Sequence, residues 1–203
     1  MRDVKDPEVR KAEIMEAALA LFVEKGYLKT TTQHIIEKVK ISRGLLYYHF
    51  KDKEDILYCL VERYSKPLLS QLSLIAFDNL SAIEKVRSFV KATLISPSSV
   101  TEDMVALQQT IDLEQNRYLM DRFAHKLSDI VTGYFANIIK QGISEGVFQV
   151  KYPVETASFL INGYVFVSVD VNTFSDNDKQ QYISAYENLL DCALGAQGNI
   201  FNC

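Results

Sequence analysis

Residues 42–50 read SRGLLYYHF and set a guanidinium, two phenols and an imidazole beside a glycine and two leucines. On a helix, Leu46 and Phe50 share one face and can enter a core, while Gly44, Leu45 and Tyr48 fall on the opposite side. A glycine there weakens a helix by about 1 kcal/mol against alanine, and exposed Leu and Tyr gain nothing from water. Such a face suits a docked partner, and a DNA major groove is one candidate. Gly44 lets the backbone come close, Leu45 can touch a thymine methyl, and Arg43 can pair with guanine O6 and N7. Tyr47, Tyr48, His49 and Lys53 can reach phosphates, and the backbone N–H groups opening the next helix point outward as well. The same wheel also fits an ordinary helix end whose tyrosines cover core, and spacing alone leaves both readings open.

Other chemistry finds little support. His34, His49 and His125 are scattered, and there is no HExxH, GxGxxG or GxxxxGK[ST]. We therefore expect no enzyme, no catalytic residue, no metal and no cofactor. Cys59, Cys192 and Cys203 are odd in number and lack metal-ligand or disulfide-framework spacing, which suits a reducing compartment. The opening MRDVKDPEVRKAE is charged and has no apolar signal region, and no run approaches the roughly 18 apolar residues that span a bilayer. The expectation is a soluble cytoplasmic protein with no membrane partner. The net charge of −4 is unevenly placed: residues 1–66 hold 13 Lys and Arg against 11 Asp and Glu, and the rest hold 9 against 15. The amino-terminal third is the relatively basic part, and a balance of +2 lies within ordinary variation.

Helical periodicity dominates the 203 residues, and no alternating strand pattern bounded by hairpin dipeptides appears. Ile14, Ala17, Ala18, Leu21 and Phe22 form the stripe of a first helix, stopped at Gly26. Thr31 is a plausible N-cap for a short second helix over 32–39 with Ile35 and Ile36 inward, and Ser42 caps a third. Three short helices, the last two joined by the tight turn at Lys40 and Ile41, make a helix-turn-helix. Asp52 and Asp55 open a long fourth helix through Pro67, where a kink is expected. SAIE at 81–84 is a capping box for a helix to about Ile95, followed by a serine-rich loop at 97–99. Further helices are predicted at roughly 102–112 and 115–141, one from Pro153, and a last one opened by Ser175 with Asp176 and Asp178.

From GYLKTTTQHIIEKVKISRGLLYYHFKDKEDIL, residues 26–57, the chain closely resembles the DNA-binding domain of TetR-family transcriptional regulators. The match comprises the Thr cap, the Ser opening the third helix, Gly two residues later, then LYYHF and K-x-K-E. The resemblance implies an all-α protein: a three-helix helix-turn-helix DNA-binding domain, 1–52, and a larger helical ligand-binding and dimerisation domain, 53–203. It further implies a regulator, in most such cases a repressor, that binds double-stranded operator DNA as a homodimer and leaves it when a small molecule binds. By matching position, Thr31, Thr32, Tyr47, His49 and Lys53 would hold phosphates, while Ser42, Arg43, Gly44, Leu45 and Tyr48 would face the groove. Two positions depart from the family pattern. Lys40 stands where Gly or Asn is common, in a left-handed turn that costs a lysine about 1 kcal/mol, and Ile36 stands where Ala is frequent. The rival is a small-ligand-binding helical protein with a vestigial helix-turn-helix, against which the basic, Tyr-rich third helix argues.

Beyond residue 57 the resemblance thins to IIKQGISEGVF at 138–148 followed by YPVETASFLINGY, similar to a helix junction of the same family. The helix from Pro153 is apolar on nearly every face, which predicts burial on both sides. The last helix carries Ile183, Tyr186, Leu190 and Ala193 on one stripe with Tyr182, Ala185 and Leu189 beside it, wider than one core contact needs. Together they suit a two-fold four-helix dimer interface. Tyr64, Leu68, Phe89, Met104 and Leu107 are expected to line a mostly apolar effector pocket in the second module, with Gln108, Ile111, Phe123 and Tyr164. Tyr58, Tyr118 and Phe166 lie on the same helices. A small apolar or amphipathic effector follows, and Asp112 and Asp170 admit a cationic aromatic version of it.

Overall fold

The computed structural model describes residues 6–95, 117–171 and 175–201. Among these residues there are eight α-helices and no strand. They run α1 (Pro7–Lys25), α2 (Thr32–Val39), α3 (Arg43–His49), α4 (Lys53–Phe77), α5 (Ala82–Val90), α6 (Arg117–Ser144), α7 (Pro153–Val171) and α8 (Asp176–Leu194). The helix predicted at 102–112 lies outside the described residues. The chain divides into two compact units, and among the described residues the division falls twice, between Lys66 and Pro67 inside α4 and between Phe123 and Ala124 inside α6.

Local signals start and stop most of these helices. Asp6 caps α1, with Pro7 in its first turn, and Gly26 at φ 84° ends it. Ser81 and Glu84 form the capping box of α5, and the Ser175 hydroxyl accepts the Asp178 N–H at the start of α8. After Val90 the α5 ladder loosens into a π-helical turn, Lys91–Ile95. Helix α4 continues through Pro67, which has no N–H to give the carbonyl four residues back.

The first unit closes a core of its own. Ile14, Ala18, Leu21 and Phe22 of α1 meet Ile35 and Ile36 of α2, Leu46 of α3, Phe50, and Ile56, Leu57 and Leu60 of α4. Its loop 26–31 is fixed by Thr30, whose buried hydroxyl donates to the Leu21 carbonyl at 3.1 Å and the Gly26 carbonyl at 2.9 Å. Tyr64, expected in the second module, packs partly buried on this first core.

In the second unit Leu72, Val86, Phe89, Phe135, Ile138, Ile139, Phe148, Ala157, Ile161, Leu190 and Leu194 are buried together. Lys85 is buried too, its Nζ donating to the Ala76 carbonyl at 3.0 Å and to Gln141 Oε1 at 2.6 Å, so the ammonium caps the end of α4. The expectation that α7 is buried on both sides does not hold for this chain by itself. Ala157, Leu160 and Ile161 are buried, but Phe159 is 83% exposed. On α8, Leu190 turns inward while Tyr182 and Leu189 face outward, so the two stripes read in the sequence point in different directions.

Candidate nucleic-acid interface

Helix α3 has only seven residues and is held from both ends. The Ser42 hydroxyl accepts the Leu45 N–H at 3.2 Å, and the Phe50 N–H closes on the Leu46 carbonyl. Leu46 and Phe50 are buried almost completely, which fixes the rotation of the helix about its axis. The opposite side then presents Arg43, Gly44 and Tyr48 to solvent, with Tyr48 75% exposed. A Cβ built on Gly44 meets no atom within 4 Å, so packing among the described residues does not require the glycine, and it leaves the backbone open to a close approach.

Tyr47 sits at the join of α2 and α3. Its hydroxyl lies 3.5 Å from Thr32 Oγ1, and the Arg43 guanidinium lies over its ring at 5.5 Å. The hydrogen bond with Thr32, helped by Arg43, holds the phenol below the usual tyrosine range. Three groups that can donate to an anion are thus gathered from two helices: two hydroxyls and a guanidinium.

At the start of α2 the Thr31 hydroxyl accepts the His34 N–H at 3.2 Å, and His34 Nδ1 accepts the Thr31 N–H at 3.3 Å. This is a capping box completed by histidine, where the sequence rule looks for Glu or Gln; hence only the threonine half was legible in advance. One helical turn along, Gln33 Nε2 donates to Glu37 Oε1 at 2.8 Å on the exposed side of α2. The turn between α2 and α3 adopts the left-handed conformation expected at Lys40, with φ 58° and ψ 47°.

Lys53 is engaged. Its Nζ donates to the Tyr27 carbonyl at 2.8 Å and lies over the Tyr27 ring at 4.1 Å, and burial lowers its pKa. The Tyr27 hydroxyl is buried with no hydrogen-bond partner among the described residues, and burial, with Glu54 and Asp52 nearby, pushes that phenol well above its ordinary range. The two residues are 26 positions apart, which no local pattern reveals. Thr31, Thr32, Ser42, Arg43, Gly44, Leu45, Tyr47, Tyr48 and His49 all belong to α2, α3 or their caps, and His49 is half-buried beside Tyr48.

The expected effector residues scatter more widely. Leu68 is partly buried against the second core and Phe89 is within it. Tyr164 donates its hydroxyl to the Thr93 carbonyl of the π-helical turn at 2.9 Å, and burial raises its pKa to about 12. Met104, Leu107, Gln108 and Ile111, with Asp112 and the side chains of Tyr118, Phe123, Phe166 and Asp170, lie outside the described residues. A cavity of about 250 Å³ lies in the first unit between α1 and α4, and none of the expected effector residues borders it. Among the described residues no group of His, Cys, Asp and Glu is arranged to hold a metal, and no helix is long and apolar enough to cross a membrane.

Two sequence profiles match the chain. That of bacterial regulatory proteins of the tetR family covers residues 14–58, and that of the tetracyclin repressor-like C-terminal domain covers residues 101–189. The chain belongs to the TetR family. It is a DNA-binding transcriptional regulator, as the family is. Over 162 residues it is 27% identical to the regulator YfiR of Bacillus subtilis, covering 75% of each chain. It is 26% identical over 164 residues to the repressor KstR2 of Mycobacterium tuberculosis, covering 79% of this chain and 80% of that one. A crystal structure of a TetR-family regulator from Pectobacterium atrosepticum superposes with a TM-score of 0.67 at 24% identity, covering 95% and 98%. TetR-family regulators bind DNA and small ligands and act as dimers.

Proposed function

We propose that this regulator is a repressor that binds a near-palindromic operator as a homodimer. One α3 enters each major-groove half-site, and the half-sites lie on one DNA face, about 34–36 Å apart or a multiple of it. The observation that carries the reading is the split of α3. Leu46 and Phe50 are committed to the core, while Arg43, Gly44 and Tyr48 are left exposed on the opposite side of the helix.

Arg43 and Leu45 read base edges, with Ser42, Gly44 and Tyr48 against the groove. Thr31, Thr32, Tyr47 and His49 position the duplex through its phosphates. Lys53 adds a phosphate contact through the ammonium protons that Tyr27 leaves free, since an ammonium carries three. Residues 1–52 act as the operator-binding domain, with the first turns of α4 as packing support, and residues 53–203 bind effector and partner. The exposed Phe159 of α7 and the exposed Tyr182 and Leu189 of α8 support a dimer built on these two helices. The effector is small and apolar or amphipathic, and it releases DNA by preferring a dimer whose recognition helices are wrongly spaced. Reciprocity then requires operator DNA to lower effector affinity by the same factor. No catalytic step is assigned, and the regulator works in the cytoplasm with its DNA.

In vitro selection of duplexes bound by the full chain tests the reading. A recovered inverted repeat supports it; a chain that enriches no sequence while remaining folded overturns it.

A further inference from the structure

Lys40 occupies a backbone conformation that favours glycine. It is the one non-glycine residue with positive φ among the described residues, at φ 58°. The geometry is imposed by the turn: the Lys40 N–H and the Ile41 N–H both close on the Ile36 carbonyl, which ends α2 and aims the chain at Ser42. A side chain in this region crowds its own carbonyl, whereas glycine does not, so the sequence carries a local cost that a single substitution would remove. Residues held in such conformations cluster at functional sites, and the inference runs from the observed outlier to its use.

The surroundings say what the use is. Lys40 is exposed, and no hydrogen bond or ion pair engages its ammonium among the described residues. It stands two positions before the Ser42 cap and three before Arg43, at the entry to the recognition helix, with exposed Lys38 on the end of α2 beside it.

We propose that Lys40 is a phosphate-contacting residue of the operator interface, and that the turn keeps a lysine in glycine's conformation because its ammonium meets the DNA backbone. The inference rests on the operator-binding reading above. Each neutralised phosphate contributes a slope of about −0.9 in log affinity against log salt, so two copies in a dimer contribute about −1.8.

The test uses the full chain, a short duplex of arbitrary sequence and the selected operator, each titrated over a range of salt. Lys40→Gln keeps a side chain in the left-handed turn and removes the charge. It is expected to weaken both duplexes on the order of tenfold at physiological salt and to flatten the slope by about 1.8, with the melting temperature unchanged. Lys40→Arg restores binding. Lys40→Gly loses the same affinity yet melts roughly 2–4 °C higher, because the turn is relieved. Lys40→Gln with wild-type affinity and salt slope overturns the inference while leaving the operator reading intact. So does a Lys40→Gln that only melts lower, which would assign the charge to the dipole of α2. Wild-type chain that binds neither duplex overturns the operator reading, and the phosphate role with it.

Discussion

In the first unit a run of nine residues, 42–50, supplies both the anchor and the working face: Leu46 and Phe50 are buried, Arg43 and Tyr48 are not. In the second unit exposed apolar side chains come from separate helices, among them Leu74 and Phe77 of α4, Phe159 of α7, and Tyr182 and Leu189 of α8, while the candidate effector residues Phe89 and Tyr164 come from α5 and α7. A surface made by one short helix keeps its chemistry whenever that helix is seated. A surface gathered from distant segments depends on the whole unit being packed.

The largest effect that would sharpen this contrast is expected at Phe159. Phe159→Asp places a charge at the most exposed apolar side chain of α7 among the described residues, and at micromolar protein sedimentation should show the monomer mass. Operator affinity should fall by about 3 kcal/mol or more with the single-chain fold intact by circular dichroism. A dimer that survives this change would break the comparison, because the exposed face would then be incidental. Next comes Gly142→Ala, a buried position in the second core where a Cβ would fall on the Phe148 ring. Overpacking of this kind should cost about 1–3 kcal/mol, read as a lower urea midpoint. Arg43→Ala should leave the fold untouched and remove about 1–3 kcal/mol of discrimination at particular base positions, seen as a relaxed consensus in repeated selection.

The legibility of the two regions in the sequence follows the same division. Thr31, Ser42, Ser81 and Ser175 announce helix starts because a cap acts over three residues, whereas the left-handed turn at Lys40 is legible only through the family resemblance, in which Gly or Asn is common at that position. The Lys53–Tyr27 bond is not legible in the sequence, since two helices, α2 and α3, separate its partners. The apolar run of α7 predicted burial all round, yet hydrophobicity states only that a side chain avoids water and not which surface covers it. Tyr64, expected beside the effector pocket, packs on the first core for a related reason: α4 serves both units, and periodicity along one helix does not mark where its allegiance changes.

The smallest expected effect concerns the α5 capping box. Hydrogen bonds from the Ser81 hydroxyl and backbone hold Glu84 below its ordinary value of 4.5. Because the folded value is depressed, the contribution is fully present above about pH 4.5 and is lost as pH falls through the lower folded value. Ser81→Ala should therefore flatten this shallow acid dependence of second-unit stability without touching operator affinity at neutral pH. An unchanged acid limb in urea melts would remove the capping box from the account.

The tyrosines of this molecule also form a built-in optical record. The chain contains no tryptophan and 11 tyrosines, so its near-ultraviolet absorption and emission come almost entirely from phenols. Tyr164 and Tyr186, with ring centroids 5.8 Å apart, are both kept protonated by burial to high pH, Tyr164 to about 12. Tyr47 instead ionises below the usual tyrosine range on an exposed surface. Since phenolate absorbs at longer wavelength than phenol, alkaline titration separates the exposed Tyr47 by colour from the buried phenols, Tyr27 of the first unit and Tyr164 and Tyr186 of the second. The early signal includes the join of α2 and α3, and the late one, to which Tyr27 also contributes, appears as the raised pKa of Tyr164 is overcome and the stability it lends, full below pH 10, drains away.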